Sequence, residues 1–242
     1  ALRPGLDHGV AHVRLAWWRE ECGRCAAGRA AHPAARALLS GAGRPVDPIG
    51  LVATAEWDLA GATFETRAEL GSYCERWASA MMEIAAQSVG DGTFGRTFGA
   101  ALKEVELLTG LAEDARAGRL RLPLDELEEA GMDPAALARA PWTPALCRLI
   151  ASRHRAARTA LAESVGALTG SDQPALRGLL VWGALVVRAS IRAERIALRG
   201  SSPTGPPERK RPTSRLADAW QAWRAARHAD RRRFQIKQET DS

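Results

Sequence analysis

The stretch Ala101–Pro123, ALKEVELLTGLAEDARAGRLRLP, decides how the chain reads. Leu102, Val105, Leu108 and Leu111 recur every three residues, the spacing of one buried helical stripe. Glu113, Asp114, Arg116 and Arg119 then arrive within two turns, before Gly118 loosens the backbone and Pro123 stops it. Adjacent carboxylates flanked by arginines, at a helix end inside an apolar scaffold, are groups suited to Mg²⁺ and a phosphorylated ligand.

On either side the same helical period continues. Upstream, residues 66–88 form the longest clear helix, with Leu70, Tyr73, Trp77, Met81 and Ile84 on one stripe. Before it come a helix from about Leu6 to Ala27 and a short apolar one from Ile49 to Leu59, opened by Asp47-Pro48. Downstream, 125–130 and 134–140 read as short helices. Thr143-Pro144 starts a longer one to about Leu168, and Pro174 another, apolar at its centre, to about Leu198. Runs of period two are missing, so the expected fold class is all-α. Residues 1–200 read as one helical domain, 201–213 (SSPTGPPERKRP and its neighbour) as a linker, and 214–242 as a basic amphipathic helix and tail capped by Ser214.

Charge and cysteine usage narrow the function. Of the formal +6, residues 206–242 carry +5, so the body lacks the basic face that nucleic acid requires. The tail arginines beside Trp220 and Trp223 suit an anionic membrane surface through 214–233, although the tryptophans are expected to pack back on the domain. Cys22 and Cys25 make a lone C-x-x-C on a helix, without the second pair of a zinc ribbon, and read as apolar fillers in a reducing compartment. His8 and His12 lack a third ligand, and His154 among Arg153, Arg155 and Arg158 reads as part of a wet basic face. The run Gly178–Val187 is too short to span a bilayer. Gly90–Gly95, GDGTFG, follows a helix and not a strand, so it reads as a glycine-capped helix–helix loop and not as a dinucleotide site.

Three segments carry a resemblance. EDARAGRLRLP is similar to the second aspartate-rich motif of the squalene/phytoene synthase family, D-x-x-E-D-x-x-x-G-R followed by Y-L-P. Gly110 stands where that motif has its leading aspartate, and Arg121 where it has its tyrosine. ELGSYCERWASAMMEI resembles the family's Y-C-x-x-V-A-G-x-V-G. Tyr73, Cys74 and Ala78 match, Trp77 replaces the valine, and Ser79 and Met82 replace the glycines. VRLAWWREE followed by HPAARALL resembles the bacterial and complex I assembly-factor-like branches.

The resemblance implies a helical bundle around a central cavity, of the isoprenoid-synthase kind. It implies enzymes that join two prenyl diphosphates head to head, with Mg²⁺ held between two aspartate-rich motifs on facing helices. Carried over residue by residue, Tyr73 and Arg119 take catalytic roles, Tyr73, Arg116 and Arg119 bind substrate, and Glu113 and Asp114 are vestigial metal ligands. The first motif would lie before Ala1. Losing carboxylates that fix Mg²⁺ on a leaving pyrophosphate removes the main electrostatic stabilisation of that chemistry. The expectation is therefore a degenerate, cytoplasmic or membrane-peripheral relative that binds an isoprenoid or lipid-like ligand or acts in assembly. The alternative is an active prenyltransferase using Mg²⁺ and prenyl diphosphates, with its first motif outside this chain. The wall facing Asp114 is expected to be bare of acid.

Overall fold

The axis of the molecule is α5 (Thr93–Arg116), whose leucine stripe is buried along its whole length. Around it the computed structural model, which describes residues 7–42, 47–61, 63–85, 93–139, 141–199 and 212–236, places eight further α-helices and one 3₁₀ turn. They are α1 (His8–Ala26), α2 (Pro33–Ala42), α3 (Ile49–Leu59), α4 (Arg67–Ala85), α6 (Leu124–Glu129), α7 (Pro144–Gly166), α8 (Arg177–Leu198) and α9 (Pro212–Asp230). The 3₁₀ turn spans Pro134–Ala138. No strand occurs among the described residues, so the fold class is all-α as the periodicity implies.

The core divides along α5. Its N-terminal half places Phe98, Leu102 and Val105 in one cluster with Leu161 and Val165 of α7 and Leu180 of α8, and the cluster extends to Ala225 and Ala229 of α9, which docks on α8. Its C-terminal half places Leu108 and Leu111 against Leu122, Leu127, Leu137, Trp142, Leu146 and Ile150. A third cluster, Phe64, Leu70, Tyr73, Cys74 and Leu107, joins α4 to α5. Burial of this continuous apolar surface, not helix propensity, holds the bundle together.

Close approach of α4 to α5 rests on two glycines. A Cβ on Gly99 would come 2.8 Å from the Ala78 Cβ, and one on Gly95 would come 2.8 Å from the Met82 Cβ. Gly95 is thus a packing residue inside α5, not a loop cap; residues 90–92 of GDGTFG lie outside the described residues. Met82 is buried in this seam, whereas Ser79, at the other glycine position, faces solvent.

Three expectations are overturned. His154 is fully buried, and Arg153 and Arg158 are buried with it, because acids from other helices meet them. Arg158 donates to Glu194 (2.6 Å) and Ser190 (3.1 Å), and His154 Nδ1 lies 3.0 Å from Ser190 Oγ. The last helix begins at Pro212, two residues before Ser214. It docks on α8 through Asp218, which accepts from Arg188 (2.8 Å) and Arg192 (3.1 Å), yet Trp220 and Trp223 point outward rather than back onto the domain. Of the expected linker 201–213, residues 201–211 lie outside the described residues and the last two belong to α9. Cys22 and Cys25 are buried fillers beside Leu15 and Val52.

Candidate functional site

The local sequence builds the site from the end of α5. Gly118 adopts φ +76°, a left-handed conformation that glycine takes without steric cost. Its N–H bonds to the Ala115 carbonyl (3.0 Å) and the Arg119 N–H reaches back to the Asp114 carbonyl (2.8 Å). This paired closure ends the helix and folds the chain sharply back. Arg119 is thereby returned to the helix end it has just left, and its Nε donates to Asp114 Oδ1 at 2.9 Å.

The returning segment runs alongside α3 and α4. Leu124 N–H bonds to the Phe64 carbonyl (2.9 Å) and Asp125 N–H to the Glu65 carbonyl (3.1 Å). Those bonds fix Arg121, which is only 6% exposed, between two carboxylates. Its Nη2 lies 2.9 Å from Asp58 Oδ1 and its Nε 3.5 Å from Asp114 Oδ2. Asp58 comes from the last turn of α3 and Asp114 from the last full turn of α5. The wall facing Asp114 therefore carries an acid, and a guanidinium spans the gap.

Tyr73 closes the constellation from α4. Its hydroxyl donates to Asp58 Oδ1 at 2.9 Å, and its ring meets Phe64 edge-on at 5.3 Å. Burial first, then the Asp58 charge, push this hydroxyl well above the usual phenol range. Tyr73 is thus a neutral donor and not a base. The Lys103 ammonium sits 5.9 Å from the Tyr73 ring centre and 5.3 Å from that of Trp77, and pairs with Glu106 at 3.3 Å.

Of the residues singled out from sequence, the structure gathers Tyr73, Asp114 and Arg119. Glu113 and Arg116 are exposed, and Arg116 Nε donates to the Ala112 carbonyl (3.0 Å). Asp58 was missed and Arg121 noticed only as a departure from tyrosine; a buried tyrosine hydroxyl that needs an acceptor was the available signal for Asp58. Gly110 lies one turn before Asp114, and a Cβ there would stand 3.8 Å from Asp114 Oδ2. The missing side chain would therefore point at the same carboxylate. Among the described residues no group of three or more His, Cys, Asp or Glu is placed to hold a metal ion, and no helix is long and apolar enough to cross a membrane.

Known proteins of this shape share the arrangement of helices. A crystal structure of a dehydrosqualene synthase in complex with ligand superposes with a TM-score of 0.71 at 16% identity, covering 93% of this chain and 81% of that one. The structure of squalene synthase HpnC from Alicyclobacillus acidocaldarius superposes with a TM-score of 0.62 at 22% identity, covering 77% and 74%. At such identities the likeness concerns the fold alone. No curated protein matches the chain. The sequence itself goes further than the shape: the family model described as squalene/phytoene synthase matches residues 4–204, nearly the whole bundle and every helix that builds the Asp58–Asp114 site, and the chain belongs to that family.

Proposed function

We propose that this chain no longer condenses prenyl diphosphates and instead binds an isoprenoid or lipid-like ligand, or serves assembly through protein contacts as in the assembly-factor-like branch. The observation that carries this reading is the Arg121 guanidinium between Asp58 and Asp114. Two carboxylates brought together from separate helices would otherwise attract a divalent cation, which takes carboxylate oxygens and needs net negative charge around it. Here Arg119 and Arg121 supply as much positive charge as Asp58 and Asp114 supply negative. The remaining α5 position aimed at this point, Gly110, has no ligand to give. The residues present therefore do not fit Mg²⁺.

The same pairing weakens a diphosphate site. Both arginines already hold carboxylates, so a pyrophosphate would compete with internal partners. Removing metal and free cations takes away the stabilisation of a leaving pyrophosphate, a contribution of several kcal/mol. A place for an apolar ligand exists elsewhere: a cavity of about 350 Å³ between α1, α2 and α3, lined mainly by Leu15, Trp18, Cys22, Leu38 and Val52.

The test is incubation with Mg²⁺ and farnesyl or geranylgeranyl diphosphate, followed by measurement of pyrophosphate release. The expected result is release no faster than the buffer background. Release at enzymatic rates, abolished by Asp114→Ala, would restore the prenyltransferase reading.

A further inference from the structure

We propose that the outward face of α9 is a docking surface for an anionic lipid bilayer. The helix is split cleanly by packing. Ala225 and Ala229 are buried against the bundle, and Phe234 beyond the helix is locked by two bonds to Gln173, from its N–H (2.8 Å) and to its carbonyl (3.1 Å). On the opposite side Leu216, Trp220 and Trp223 follow the i, i+4, i+7 spacing of one face, and they are 73%, 59% and 48% exposed. The two indoles stack on each other at 4.8 Å between ring centres, so they form one apolar patch rather than two scattered rings.

Large exposed indoles are costly to leave in water unless something covers them, and the bundle does not. What fits them is read from the charges beside them. Arg224, Arg227 and Arg231 fall on the same side of the helix, and Arg227 lies over the Trp223 ring at 5.0 Å. From Leu216 to Ile236 there are five arginines against two aspartates, and both acids are engaged, Asp218 by α8 and Asp230 by Arg177 at 3.6 Å.

A groove of about 460 Å³ lies between α8 and α9, lined by Val187, Ile191, Arg195 and by Arg188 and Arg192, which already hold Asp218. Indoles that enter the headgroup boundary, with guanidinium groups around them to meet phosphate, are the components of an interfacial helix. A duplex nucleic acid would use the arginines but would leave the stacked indoles and Leu216 uncovered. This inference is independent of whether the Asp58–Asp114 site is active.

The experiment is co-sedimentation of the full chain with phosphatidylcholine vesicles, with and without phosphatidylserine. Binding is expected only to the anionic vesicles and should weaken as salt is raised. Trp220→Ala/Trp223→Ala is expected to weaken it about tenfold or more, and Arg224→Glu/Arg227→Glu to abolish it. Both pairs are exposed, so circular dichroism and the thermal midpoint should match those of the parent chain. Equal binding to neutral vesicles, no binding at low salt, indifference to the tryptophan pair, or stronger retention on duplex DNA than on anionic vesicles would each overturn the proposal.

Discussion

Two buried arginines in this molecule tie helices together through carboxylates, and they do different work. Arg158 joins α7 to α8 through Glu194 and Ser190 in a setting where arginine and glutamate side chains are both 9% exposed. Arg121 joins α3 to α5 through Asp58 and Asp114, whose side chains remain 29% and 19% exposed, and its Nε makes an ion pair without a hydrogen bond. In the first pair both side chains are nearly out of water, so losing the carboxylate removes a charged partner in a dry setting. The second is open on the carboxylate side, so water can replace a lost partner. The comparison separates a seam that holds the fold from a site whose charges can be rearranged without unfolding it.

The largest effect should come from breaking the sealed seam. Glu194→Ala takes the carboxylate from the buried Arg158, which keeps Ser190, and from Arg155, and is expected to cost about 3 kcal/mol, read from urea denaturation. Next is its response to acid. Burial, then the neighbouring Arg158 charge, lowers the His154 pKa to about 4, and an unfolded histidine titrates near 6.5. Between those values the unfolded chain binds the extra proton, so stability is full above 6.5 and falls as pH drops toward 4. The loss is at most about 3 kcal/mol, and His154→Asn should flatten this part of the stability–pH curve. In Glu194 burial opposes ionisation, but hydrogen bonds from Arg158 and Arg155 outweigh it and lower its pKa, so its contribution is likewise lost on acidification below the usual glutamate range.

Changes at the open site should be smaller. Tyr73→Phe removes one donor from Asp58 Oδ1, an oxygen that keeps Arg121, and is expected to cost about 1 kcal/mol. Gly118→Ala forces a Cβ into the left-handed turn that returns Arg119 to Asp114, for roughly 1 kcal/mol. If Tyr73→Phe cost as much as Glu194→Ala, the contrast between the two networks would fail.

Legibility in the sequence follows the range of the interactions. The leucine stripe of α5, the glycine turn at Gly118 and the all-α class rest on neighbours within a few residues, and all were readable. Asp58 is a single acid at the end of a short helix, and only its tertiary meeting with Tyr73, Arg121 and Asp114 distinguishes it. His154, Arg153 and Arg158 looked solvated for the same reason, since Glu194 and Glu104, which make their burial tolerable, lie far along the chain. Trp220 and Trp223 misled in the opposite sense: large rings suggest a core, but among the described residues α9 buries the small Ala225 and Ala229.

Arg121 stands where a cation would be held between Asp58 and Asp114. Titration of the chain with Mn²⁺, followed by electron paramagnetic resonance, tests this directly alongside Arg121→Gln and Asp114→Asn. The expected result is no saturable binding by the parent chain and a new divalent site in Arg121→Gln, where Asp58 and Asp114 lose their shared guanidinium. Saturable Mn²⁺ binding by the parent chain that disappears in Asp114→Asn would contradict it.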